Sequence, residues 1–239
     1  MLFPALLSAH ILSGAVALLA AVLAMASRKQ GGALHARAGR WFVRSMSAMA
    51  ASAAVLTWWE PDPLSLGAAL WTLYLVQTAQ AAALRRDGGF DRAARLALVP
   101  GTAALSVFAC GAVLAWRDGS WFGSGPEGYL VFGSLTALSL GLDVSLRWRG
   151  ALPARARIAR HLWRMGMACF LAVTSLFLGQ QDDVFPFMAG SPVLLTPPLA
   201  ALLFTAFWLA RVRFARHWLR PVLGGRGGRS LTTIEKEFA

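Results

Sequence analysis

Residues 2–26 read LFPALLSAHILSGAVALLAAVLAMA, and this stretch, which contains no Asp, Glu, Lys or Arg, decides the fold class. An α-helix rises about 1.5 Å per residue, so about 20 apolar residues cross the hydrocarbon core of a bilayer. A secretory signal peptide would begin with positive charge and have a shorter apolar part. The first Lys or Arg here is Arg28. We therefore expect residues 2–26 to form a membrane-spanning helix and not a cleaved leader.

Six further apolar blocks follow along the chain, at about residues 41–59, 64–84, 96–116, 129–146, 162–179 and 193–210. The chain of 239 residues is 57% hydrophobic and 14% charged, whereas about a quarter of the residues in a soluble domain are charged. The sequence therefore predicts an all-α fold, a polytopic transmembrane helical bundle of about seven spans over residues 1–215. A basic, flexible tail is expected over residues 216–239.

Charge is distributed unevenly between the connections that join these blocks. Of the 23 Lys and Arg residues, 22 lie in or next to the first, third and fifth connections and the tail. Because Lys and Arg are retained in the cytoplasm, this pattern predicts an external amino terminus and a cytoplasmic carboxyl terminus. The basic face is expected to contact anionic lipid. The net charge of +12 is therefore no indication of a nucleic-acid partner.

Small residues at helical spacing mark the packing faces of two spans. In the first span, Gly14, Ala17 and Ala21 lie in line with His10, and a stripe of the same kind follows His161 in the sixth span. Both histidines are therefore expected to face the interior of the bundle. His10 is predicted in the outer third of the bilayer, and His161 at its cytoplasmic boundary.

Four ionisable residues are candidates for a site within or beside the spans. They are His10, His35 at the inner membrane edge, Asp143 near the inner end of the fifth span, and His161. Such groups are costly in a membrane unless paired, and they often mark functional sites. His35, Asp143 and His161 are expected at similar depth and are candidate ligands for a metal ion. The alternative is a structural role, with Asp143 paired to Arg147 or to a neighbouring loop arginine.

Two segments resemble signatures that we recognise. Residues 35–41, HARAGRW, resemble a "His, three residues, Gly-Arg, aromatic" motif, and residues 160–165, RHLWRM, with residues 175–180, SLFLGQ, resemble a second. With FWLARV at residues 207–212, they are similar to an uncharacterised family of bacterial multi-span inner-membrane proteins, a domain of unknown function. The resemblance implies the inner (plasma) membrane of a bacterium and raises His10, His35 and His161 together as site residues. It supplies no reaction.

A histidine-ligated haem of b type is the first functional hypothesis. It requires two imidazoles that face one iron from different helices, with arginines near the propionates. His35 and His161 are the candidate ligands, and His10 and Arg40 complete the set of candidate cofactor-binding residues.

The sequence leaves three other functions open. They are a transporter in which His10 and Asp143 exchange protons, a membrane metal-site enzyme built on His35, Asp143 and His161, and a non-catalytic scaffold. The chain contains no Walker loop, GxSxG elbow or HExxH helix.

Overall fold

The computed structural model describes residues 2–27, 32–84, 92–149 and 152–214. In this part of the chain the α-helices are α1 (Leu2–Ala26), α2 (Ala33–Leu56), α3 (Pro63–Leu84), α4 (Arg92–Asp118), α5 (Pro126–Arg149), α6 (Ala154–Thr174), α7 (Gln181–Val184) and α8 (Thr196–Phe214). A π-helical turn, Ser175–Gly179, continues α6, and two 3-10 turns, Pro186–Met188 and Pro192–Leu195, precede α8. The described residues form no β-strand, which confirms the predicted all-α class. The predicted tail, residues 216–239, lies outside the described residues.

Five of these helical segments are long and apolar enough to cross a membrane: Leu2–Ala26, Arg95–Asp118, Pro126–Leu146, Ala154–Gly179 and Pro192–Phe214. Large apolar side chains cover the outside of the bundle, and Leu12, Leu19, Val113 and Leu203 are each at least 67% exposed. In water, so much exposed apolar surface would drive association, whereas acyl chains are a suitable environment for it. The chain is therefore a membrane-embedded helical bundle.

The helices α2 and α3 have 24 and 22 residues, which is enough to cross a bilayer, but they are not among the five apolar segments. Their composition explains the difference, because α2 contains Arg37, Arg40 and Arg44, and α3 contains Gln77 and Gln80. Helix length and apolar composition together therefore support five of the roughly seven predicted spans. That α2 and α3 each cross the membrane stays a prediction.

The centre of the bundle is α3, which packs against α2, α4 and α6 and touches α5. Its side chains Trp71, Tyr74, Leu75 and Val76 are fully buried. On the outside, α1 packs on α2, α5 on α4, and α8 on α6. A helix with protein on most sides has little contact with lipid, which explains why α3 can include polar residues.

Two helices begin earlier than the apolar blocks indicated. α2 begins at Ala33 and not near residue 41, and α6 begins at Ala154 and not near residue 162. The added turns are rich in arginine, whose apolar stem can lie along a helix while its charge reaches water. His35 is therefore the third residue of α2 and His161 the eighth of α6, so both histidines are on helices.

Two glycines of α4 allow this helix to approach its neighbours α5 and α3 closely. A Cβ atom at Gly111 of α4 would lie 2.4 Å from the ring of Tyr129 in α5, and one at Gly101 would lie 2.8 Å from the ring of Tyr74 in α3. Membrane helices use small residues in this way, because van der Waals contact drives their association. The contact at Gly101 also helps to determine where the Tyr74 ring can lie.

Candidate functional site

A hydrogen-bonded cluster surrounds the carboxylate of Asp143, which is only 1% exposed. Its Oδ1 atom accepts hydrogen bonds from Arg160 Nη2 (2.7 Å) and from Arg164 Nη2. Its Oδ2 atom accepts from the Tyr74 hydroxyl (2.6 Å) and from Arg164 Nη1 (3.1 Å). Four donors from two neighbouring helices therefore occupy both carboxylate oxygens, and Arg164 binds them as a bidentate fork.

Arg164 is fully enclosed, with no exposed surface. Besides its two bonds to Asp143, it donates to the Ser139 carbonyl oxygen (3.3 Å). Its guanidinium carbon lies 5.3 Å from the centroid of the Tyr74 ring and 5.6 Å from that of the Trp163 ring. Ring faces attract cations most strongly where water is excluded. Polar and aromatic contacts together therefore stabilise a charged side chain inside the bundle.

Local helix periodicity explains why these residues meet. Arg160 and Arg164 are four residues apart in α6, and Ser139 and Asp143 are four apart in α5, so each pair shares one face of its helix. Tyr74 lies in the middle of α3, between these two helices, and its hydroxyl is also 2.9 Å from the Ser139 carbonyl oxygen. The hydroxyl has a single proton, and the shorter contact to the charged carboxylate favours donation to Asp143.

The three predicted site histidines share one mode of attachment. In each, Nδ1 bonds a main-chain carbonyl oxygen of a neighbouring helix: His10 to Met49 (2.9 Å), His35 to Ala24 (3.0 Å) and His161 to Ala79 (3.0 Å). A carbonyl oxygen only accepts hydrogen bonds, so Nδ1 must be the protonated ring nitrogen. In the neutral ring, Nε2 then keeps its lone pair.

None of the three Nε2 atoms forms a hydrogen bond to a side chain or main chain that the structure describes. The Nε2 atoms are also absent from the fully buried, unpartnered polar atoms of the described chain. Histidine ligands of metals typically donate their other ring N–H to a carbonyl or carboxylate oxygen, which fixes the ring and raises its basicity. The attachment of these rings is therefore suited to ligation through Nε2.

His35 and His161 are near enough for an electrostatic interaction between their rings, whereas His10 is far from both. Its ring bonds Met49, which follows His35 by 14 residues in the same helix, so the two rings are separated by about 21 Å along α2. The structure therefore brings together His35 and His161 and separates them from His10. Arg40, the predicted anchor for cofactor carboxylates, is exposed on α2.

The residues proposed from sequence as metal ligands are arranged differently. No group of three or more His, Cys, Asp and Glu side chains is placed to hold a metal ion within residues 2–27, 32–84, 92–149 and 152–214. Asp143 instead uses both of its oxygens in the arginine–tyrosine cluster. His10 and Asp143, the two residues considered for a proton path, do not contact each other. His10 contacts α2, whereas Asp143 contacts α3 and α6.

Sequence reasoning did not find Tyr74, and for Asp143 it offered only Arg147 or an unspecified neighbouring loop arginine as a partner. A signal for the arginines was present, because Arg164 follows Arg160 by one turn and leads into an apolar stretch. Tyr74 is one of two tyrosines in the chain and lies in the middle of an apolar block, where a hydroxyl needs a partner. Arg147 was the other partner expected for Asp143, and its side chain lies outside the described part of the chain.

Comparisons with known proteins do not add a function to this geometry. No protein-family model, no curated protein and no solved structure matches the chain. The likeness to an uncharacterised bacterial family therefore stays a prediction from the residues quoted above.

Proposed function

We propose that the chain is a multi-pass protein of the bacterial inner membrane that holds a redox cofactor, a haem of b type, between His35 and His161. The observation that carries this proposal is the shared attachment of the two rings. Each donates Nδ1–H to a carbonyl oxygen of another helix, and its Nε2 atom forms no hydrogen bond within the described part of the chain. His35 and His161, which lie near enough to influence each other's charge, would hold the iron of such a group through their Nε2 atoms.

The chain's own residues have three roles in this proposal. The carbonyl groups of Ala24 and Ala79 fix the orientation of the two imidazoles through their Nδ1–H groups. Arg40, on the same helix as His35, contributes positive charge for the carboxylates of the cofactor. The apolar helices exclude water and lower the local dielectric, which influences reduction potential. When bound, a b-type haem supplies one-electron transfer.

The proposed topology has seven spans, with the amino terminus outside and the carboxyl terminus in the cytoplasm. Its support is the alternation of basic connections, together with the lengths of α2 and α3 and their packing inside the bundle. In this topology His35 and His161 lie in the cytoplasmic half of the membrane. The site would therefore exchange electrons with a partner on the cytoplasmic side or in the inner leaflet.

An absorption spectrum of the detergent-purified full chain tests the proposal, before and after reduction with dithionite. The protein should come from cells supplied with a haem precursor. We expect a reducible Soret band that is lost in His35→Ala and in His161→Ala. His10→Ala is the matched control, since its ring has the same attachment but lies about 21 Å away along the helix axis, and it should keep the band. A flat spectrum of the unmodified chain would exclude the haem.

A further inference from the structure

The Asp143 cluster contains more positive than negative charge. Two guanidinium groups, those of Arg160 and Arg164, share the single carboxylate of Asp143. In the described part of the chain no second carboxylate pairs with either arginine. The cluster therefore has a formal charge of +1 inside the helical bundle. An uncompensated charge in this environment is costly, so ionised groups in membrane proteins are usually paired.

The excess charge belongs to Arg160 more than to Arg164. Arg164 donates to both oxygens of Asp143 and to a carbonyl oxygen, and aromatic rings lie beside it. Arg160 makes one hydrogen bond, from Nη2 to Asp143, although a guanidinium has five N–H donors. Its Nε atom is buried and has no hydrogen-bond partner among the described atoms. Its side chain is still 16% exposed, so part of it is open to a ligand.

Position along α6 determines which ligands can reach Arg160. It is the seventh residue of this helix, which places it about 9 Å from the helix start. Arginine side chains at that depth extend to the phosphate layer of a bilayer. A planar guanidinium fork also matches the oxygen spacing of a phosphate group.

From these observations we propose that Arg160 binds a phosphate group at the end of the bundle where α6 begins. Asp143 holds one edge of the guanidinium, and the N–H donors that are not buried face the ligand. The phosphate belongs either to the headgroup of an anionic lipid or to a small soluble molecule, since both present the same oxygens. This site is independent of the proposed haem, because none of its members is a proposed iron ligand.

The test compares the thermal stability of the purified full chain in inorganic phosphate and in sodium chloride at equal ionic strength. A second arm compares nanodiscs of phosphatidylcholine alone with nanodiscs that contain phosphatidylglycerol. A ligand that binds the folded chain raises its melting temperature with a saturable dependence on concentration. The variants are Arg160→Gln and, as control, Arg44→Gln, which removes one equally charged but exposed residue from α2.

We expect saturable stabilisation by phosphate, by phosphatidylglycerol or by both in the unmodified chain and in Arg44→Gln, and its loss in Arg160→Gln. A response to inorganic phosphate identifies a soluble ligand, and a response to the anionic lipid alone identifies a headgroup. Arg160→Gln leaves Asp143 and Arg164 as a neutral pair, so this variant should fold and be at least as stable as the parent without phosphate. The proposal would be overturned if neither inorganic phosphate nor phosphatidylglycerol stabilised the unmodified chain more than its control condition, or if Arg160→Gln kept the full response.

Discussion

At the scale of single residues, the carboxylate of Asp143 accepts four hydrogen bonds from the side chains of other helices. It lies in α5, yet its donors come from α3 and α6. Removing one member of a buried ion pair leaves the other without compensation, which costs more than the intact pair contributes. The energetic importance of Asp143 is therefore best measured by changing its partners together with it.

The variant Asp143→Asn should leave two guanidinium groups in the bundle without a counter-charge. We expect it to lower the free energy of unfolding by about 3–5 kcal/mol, the usual cost of breaking a buried ion pair. The double variant Asp143→Asn/Arg164→Met should recover part of this loss, because the more buried charge is then removed as well. Unfolding of the purified protein in a denaturing detergent measures both. Equal stability of the single and double variants would contradict the pairing.

The two tyrosines of the chain offer a matched comparison of hydroxyl partners. Tyr74 donates to a carboxylate and Tyr129 to the Trp121 carbonyl oxygen. We expect Tyr74→Phe to cost about 1.5–3 kcal/mol and Tyr129→Phe about 0.5–1.5 kcal/mol, since hydrogen bonds to charged groups are stronger. Unfolding curves of the two variants give the difference. If Tyr129→Phe proved the more harmful, the hydroxyl of Tyr74 would not be a significant donor to Asp143.

At the scale of helices, contact between neighbours depends on a few positions without side chains. Gly111 lies against the buried ring of Tyr129, whereas a Cβ at Gly39 of α2 would meet nothing within 4 Å. The two glycines are therefore expected to respond differently to the same substitution, although the sequence pattern around them does not distinguish them.

Gly111→Ala should reduce stability by about 1–3 kcal/mol, because the added methyl group overlaps the Tyr129 ring and forces α4 away from α5. Gly39→Ala should be neutral or stabilising by up to about 1 kcal/mol, the difference in helix propensity between the two residues. Melting temperatures of both variants in one detergent provide the comparison. Similar losses of stability in the two variants would mean that α4 and α5 are not in close contact at Gly111.

At the scale of the whole molecule, the proposed orientation predicts which connections are reachable from outside the cell. In a background with Cys110→Ala and Cys169→Ala, a membrane-impermeant maleimide should label Asp183→Cys in intact cells. Arg155→Cys should be labelled only after the membrane is permeabilised, because Arg-rich connections are retained in the cytoplasm. The reverse pattern would invert the topology and move the site of His35 and His161 to the outer half.

The sequence by itself determined the all-α class, the membrane environment and the residues at which a site was expected. Apolar blocks and charge are properties of the linear chain, so periodicity and composition could identify them. Helix starts at Ala33 and Ala154 were missed because arginine-rich turns do not look like membrane segments, although their apolar stems allow them to extend the helices.

Only the tertiary structure decided which of the candidate residues meet. Asp143 bonds arginines 17 and 21 residues away and a tyrosine 69 residues away, and His161 bonds a carbonyl group 82 residues away. Contacts between helices depend on their relative rotation and depth, which are set by packing of small residues such as Gly101 against Tyr74. The local sequence pattern identifies the face on which a residue lies, but the partner across that face depends on the packing of the whole bundle.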